Sequence, residues 1–128
     1  SAALSRELVP LAQALKEANT TPSKQTTELL ERLFQTIQAS AQSALRALVE
    51  QDEPAAQAVV ANRDGILRLT SEFHRQQAAR LAGNEPDRLL RLRVQLEMVD
   101  RLRRVYGVAE HMAISVLPGS VLAGELSA

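Results

Sequence analysis

The side chains with the greatest chemical reach in this sequence are carboxylates, imidazoles and guanidiniums set at helical spacings. Glu97 and Asp100 stand three positions apart; on a helix they share a surface, and two such oxygen donors suit a divalent or ferric cation. Their neighbours argue for another use. Arg93, Arg101 and Arg104 each fall four positions from one of these carboxylates, so ion pairing competes with a metal, and a surface ladder of salt bridges is the favoured reading. The two histidines, His74 and His111, have no Asp or Glu four residues away to complete a helical ligand pair. Zinc takes three or four convergent ligands, and a histidine base needs a placed nucleophile and an orienting group. Neither pattern is visible, so the sequence predicts no catalytic residue and a protein that is not an enzyme.

Arginine supplies thirteen of the fifteen basic residues, and ten of these lie between Arg63 and Arg104. Guanidinium is the group suited to interfacial ion pairs and anions, so Arg88, Arg91, Arg101, Arg103 and Arg104 form a candidate partner or anion surface. Fifteen acidic residues balance the fifteen basic ones and are interleaved with them, which favours a solvated, ion-paired face and gives nucleic-acid binding little support. The five glycines are scattered at Gly65, Gly83, Gly107, Gly119 and Gly124, without the clustering of a phosphate-binding loop. Absence of cysteine excludes disulfides and thiolate chemistry. No apolar run reaches the roughly 18 residues of a membrane span, and the start lacks the basic-then-apolar order of a signal peptide. No direct membrane insertion by this segment is expected, and the chain reads as one excised from a longer protein.

These groups must be positioned by helices. Apolar residues make up 45% of the chain, yet only two Phe and one Tyr are present, so the core is expected to be aliphatic and rich in alanine. The organising stretch is Asp87 to Leu117, where Leu89, Leu92, Leu96, Val99, Leu102, Val105, Ala109, Met112 and Val116 recur at steps of three and four and predict one buried seam. Ser23 to Glu50 carries a second stripe through Leu29, Leu30, Leu33, Phe34, Ile37, Ala41, Ala44, Leu45 and Leu48. Asp52 and Pro54 then punctuate the start of a third helix, expected to run unbroken from Pro54 to about Leu81, with Val59, Ile66, Leu69 and Phe73 as its seam and Gly65 as its weak point. Leu4, Leu8, Leu11 and Leu15 predict a shorter leading helix, interrupted at Pro10. Short connections predict an all-α, up-and-down bundle of three long antiparallel helices plus this N-terminal one. One domain spans 1–128: a leading helix over 1–20, a three-helix core over 21–118 and a tail over 119–128.

The run Leu96-Glu-Met-Val-Asp-Arg-Leu-Arg-Arg-Val105, continuing to Ala113 and the Val116-Leu117-Pro118 ending, resembles the last helix of PhoU-like domains. Ala44-Leu-Arg-Ala-Leu-Val-Glu-Gln-Asp52 and the stretch from Ala55 to Leu69 look like that family's helix ending in an acidic turn and the helix after it. The similarity runs from about Leu29 to Leu117 and is closest to the cytoplasmic domain that follows the membrane part of bacterial sodium/phosphate cotransporter family proteins. It implies a PhoU-like helical bundle and a role in phosphate transport or its regulation. It further implies a location on the cytoplasmic face of the inner membrane, with the protein's own transmembrane transporter region as partner and a homodimer as an option. Free-standing members of the family hold metal through Glu/Asp-x-x-x-Asp motifs, a spacing from which Glu97 and Asp100 depart. The alternatives are a soluble PhoU-type phosphate-signalling adaptor with metal binding and an unrelated helical scaffold.

Overall fold

The computed structural model describes residues 24–80 and 86–119. The expected leading helix, residues 81–85 and most of the tail lie outside these residues. The described chain is all-α: α1 (Lys24–Glu50), α2 (Glu53–Ala61), α3 (Arg63–Arg80) and α4 (Pro86–Val116). No strand occurs among the described residues.

The turn between α1 and α2 is specified by local chemistry. Gln51 takes the left-handed conformation (φ 54°) just past the end of α1, and the Asp52 N–H reaches back to the Ala47 carbonyl at 3.2 Å, closing a Schellman-type C-cap. The Gln51 amide adds a 3.0 Å bond to the Leu48 carbonyl, capturing another free acceptor. Asp52 then caps α2 by accepting from the Ala55 N–H at 3.1 Å, with Pro54 in the first turn where its missing N–H costs nothing. At the far end α4 stops at Val116, before Pro118.

The third expected helix is not continuous. It divides at Asn62, whose N–H is shared between the Val59 and Val60 carbonyls, separating α2 from α3 three residues before Gly65. Two side chains from other helices hold this break. The Asn62 amide donates to the Ser40 hydroxyl of α1 at 2.9 Å, and the Tyr106 hydroxyl of α4 donates to the Val59 carbonyl at 2.6 Å. Tertiary hydrogen bonding therefore overrides the local helical preference. The buried stripe keeps its phase across the break, running Ala56, Val59, Ile66, Thr70, Phe73 and Gln77.

The expected seam of α4 holds in part. Val99, Leu102, Val105 and Ala109 are buried, and Leu92, Met112 and Val116 are half-buried, whereas Leu89 is 67% and Leu96 38% exposed. Gln95, Tyr106 and Ala113 complete the buried face. On α1, Phe34, Leu45 and Leu48 are partly exposed, whereas Thr26, Ser40 and Ala47 are buried. One contiguous core joins all four helices through Leu33, Ile37, Val59, Phe73, Val99 and Leu102. Its polar layer includes a buried 2.8 Å bond from the Gln77 amide to the Gln95 carbonyl oxygen. Cross-helix partners climb α1 as they descend the next segment, Thr26 meeting Gln76 and Ser40 meeting Asn62. Gln77 meets Gln95 and Arg63 meets Glu110 in the same inverse order.

Candidate interaction surface

On α4 each candidate carboxylate is already matched to a guanidinium one turn away. Glu97 Oε1 lies 3.4 Å from Arg101 Nη2, and Asp100 Oδ2 lies 2.9 Å from Arg104 Nη2. Both pairs are exposed, so each contributes only a few tenths of a kcal/mol, about 0.3–0.5. Among the described residues no group of three His, Asp or Glu converges on a point that would hold a metal ion. His74 and His111 are exposed; His74 makes a tilted ring contact with Phe73, centroids 5.7 Å apart.

The five arginines do not form one patch, because a step of about 100° per residue distributes them round the helix. Arg101 and Arg104 stand in the ion-pair ladder. Arg103 turns to the opposite flank, where it borders a small groove with Arg63, Ile66, Leu67, Tyr106 and Glu110. Arg91 is half-buried and its Nε has no hydrogen-bond partner. The Arg88 side chain lies outside the described residues. Apolar side chains interrupt these charges: Leu89, Leu90, Leu96 and Val108 are all exposed on α4. The outer surface of the helix is therefore a mosaic of guanidinium and aliphatic groups.

The most connected polar cluster is one that sequence reasoning missed. Tyr106 donates its single proton to the Val59 carbonyl, and Glu110 Oε2 sits 3.4 Å from the same hydroxyl and 3.9 Å from Arg63 Nε. Burial, with the Glu110 carboxylate second, pushes the phenol up to about 12. The folded state thus holds the phenolic proton more tightly than the unfolded chain does. Its contribution is complete below the ordinary tyrosine value of 10.0 and is lost as pH rises from there towards about 12. We expect Tyr106→Phe to cost about 1 kcal/mol at neutral pH, the net worth of one hydrogen bond, and to flatten the alkaline loss of stability. Urea titrations across this range check it. Phenolate absorbance follows the group directly, since Tyr106 is the only tyrosine and no tryptophan is present.

A wider groove of about 720 Å³ opens between α1 and α3, lined by Arg32, Thr36, Asn62, Gly65, Arg68 and Glu72 among others. Thr36 donates to the Arg32 carbonyl at 2.8 Å, and Glu72 is engaged by Arg75, which holds its carboxyl below the usual carboxylate range. These side chains are thus committed to their own helices. Among the described residues no helix is long and apolar enough to cross a membrane. No protein-family model, curated protein or solved structure matches the chain.

Proposed function

We propose that this chain is a non-catalytic regulatory and interaction domain with the antiparallel up-and-down plan of a PhoU-like bundle. It serves as the cytoplasmic part of a sodium/phosphate cotransporter-like membrane protein at the inner membrane, and contributes to phosphate transport or its regulation. The observation that supports the reading is the outer surface of α4, which carries Arg101 and Arg104 together with exposed Leu89, Leu90, Leu96 and Val108. Arginine is enriched in protein contacts, whose buried centre is depleted of other charged residues, so the domain works by packing against its own transporter region or against a second copy. The inverse order of cross-helix partners, Thr26 with Gln76 and Ser40 with Asn62, supports the antiparallel plan. The pairing of Glu97 and Asp100 with Arg101 and Arg104 supports a contact surface over a cation site.

Charge reversal tests the surface. Arg101→Glu with Arg104→Glu places like charges four residues apart, which costs only about 0.2–0.5 kcal/mol per pair and leaves the bundle folded. In the whole membrane protein the double variant is expected to weaken capture of the domain by its transporter region or by a second copy, and to change phosphate uptake. Wild-type association together with wild-type uptake would remove this surface from the account.

A further inference from the structure

Arg46, Arg75, Arg101 and Arg104 each pair with a carboxylate three or four residues away on their own helix. Arg32 and Arg68 have the same opportunity, with Glu28 one turn before Arg32 and with Asp64 and Glu72 one turn to either side of Arg68. Neither forms an ion pair among the described residues. Arg68 Nε makes one long bond, 3.5 Å, to the Asp64 carbonyl oxygen. Both arginines instead line the groove of about 720 Å³ between α1 and α3, from opposite walls. The cross-helix pairs Thr26 with Gln76 and Ser40 with Asn62 put Arg32 level with Thr70, so Arg68 lies two residues away, about 3 Å along the axis. Glu72 is the one carboxylate among the described lining residues, and Arg75 engages it through both Nε, at 2.9 Å, and Nη2. The groove therefore carries uncompensated positive charge from two helices.

Gly65 stands in the α3 wall of the same groove. A Cβ added there would meet nothing within 4 Å, and the backbone is not left-handed, so neither crowding nor conformation requires glycine. Glycine weakens a helix; what its missing side chain leaves at this point is open volume. We propose that the groove binds a small organic polyanion, with Arg32 and Arg68 each holding one of its carboxylate or phosphate groups. Guanidinium takes either group through paired N–H donors. The opposed walls call for two anionic groups in one molecule, and the volume is that of a small-molecule site, roughly 300–1,000 Å³, not of a single inorganic ion. The site lies on the α1 and α3 side of the bundle, and it stands independently of the α4 surface and of the transporter reading.

The test titrates the full chain with citrate and, separately, with pyrophosphate, at constant ionic strength, following the Gly65 amide and the arginine Nε–H signals by NMR. Saturable shifts at Gly65, Arg32 and Arg68 are expected with at least one probe; citrate assigns the site to carboxylates and pyrophosphate to phosphates. Arg32→Gln with Arg68→Gln is expected to weaken binding at least tenfold, the scale of one lost charge-assisted hydrogen bond. Both side chains are exposed, so the fold survives, which circular dichroism checks. Gly65→Leu fills the groove while favouring the helix. It is expected to abolish binding and to raise the urea midpoint, which separates blockage from unfolding. Arg101→Gln with Arg104→Gln, on α4, is the control and should bind as the wild type does. Failure of both probes to saturate overturns the proposal. So does wild-type binding by either groove variant, and so does an equal loss in the α4 control, which would reduce the effect to screening of surface charge.

Discussion

Phe73→Ala is expected to lower the free energy of unfolding by about 3–5 kcal/mol, the range for removing a fully buried aromatic ring. The size of the effect follows from how little else holds α3. That helix buries only Ile66 and Phe73 as apolar side chains, beside Thr70 and Gln77, and Phe73 is 0% exposed. Its ring belongs to the same core cluster as Leu33 and Ile37 of α1 and Val99 and Leu102 of α4, so truncation leaves a void where three helices meet. A domain of this size is stable by about 5–15 kcal/mol, which puts the variant near the limit of folding. Urea denaturation gives the value, with an unchanged slope showing that stability alone has moved. Leu89→Ala is the comparison. Although Leu89 heads the most regular leucine series in the sequence, its exposure predicts a loss within about 0.5 kcal/mol. Equal losses at the two positions would place the core on the wrong face of α4.

The second large effect concerns the buried glutamine pair. Gln95→Leu removes the acceptor of the Gln77 amide and strands that amide in the core, at a cost of about 1–3 kcal/mol. Substituting Leu at both positions removes donor and acceptor together, so most of the loss is expected to return. A complete double-mutant cycle measures the coupling. If the double variant simply shows the sum of the two single losses, the side chains do not act as a pair.

These outcomes separate what the sequence states from what only tertiary structure decides. The period of three and four located α1 and α4 to within a residue or two, because each is a long amphipathic element with marked ends. Asp52 and Pro54 announced the start of α2 through capping chemistry that needs no distant partner. The break at Asn62 carried no such signal. It depends on Ser40 and Tyr106, which are 22 and 44 positions away in the chain and reach it only once the helices have packed.

The α4 seam is legible through Val99, Leu102, Val105 and Ala109 and fails at Leu89 and Leu96. Steps of three and four average about 3.5 residues, so the line drifts about 20° per heptad round a helix of about 3.6 residues per turn. Of the candidate site, the salt-bridge ladder was legible because its spacing lies within one helix. The Tyr106, Glu110 and Arg63 cluster was not, because it joins α4 to the start of α3 across the core. A polar ring in the middle of an apolar seam was the available sign. The dispersal of the five arginines was equally hidden by their closeness in sequence, although the helical step alone separates Arg101 from Arg103.

We propose that this bundle is the cytoplasmic part of a membrane transporter. Its most direct test is an immunoblot of fractionated source cells with an antibody raised against residues 24–119, reading apparent mass and membrane association together. A band well above the 14.0 kDa of this chain that sediments with membranes and is released by detergent alone is the expected result. A band near that mass in the soluble fraction would contradict it, and would turn the arginine and leucine mosaic of α4 into the docking face of a free-standing adaptor.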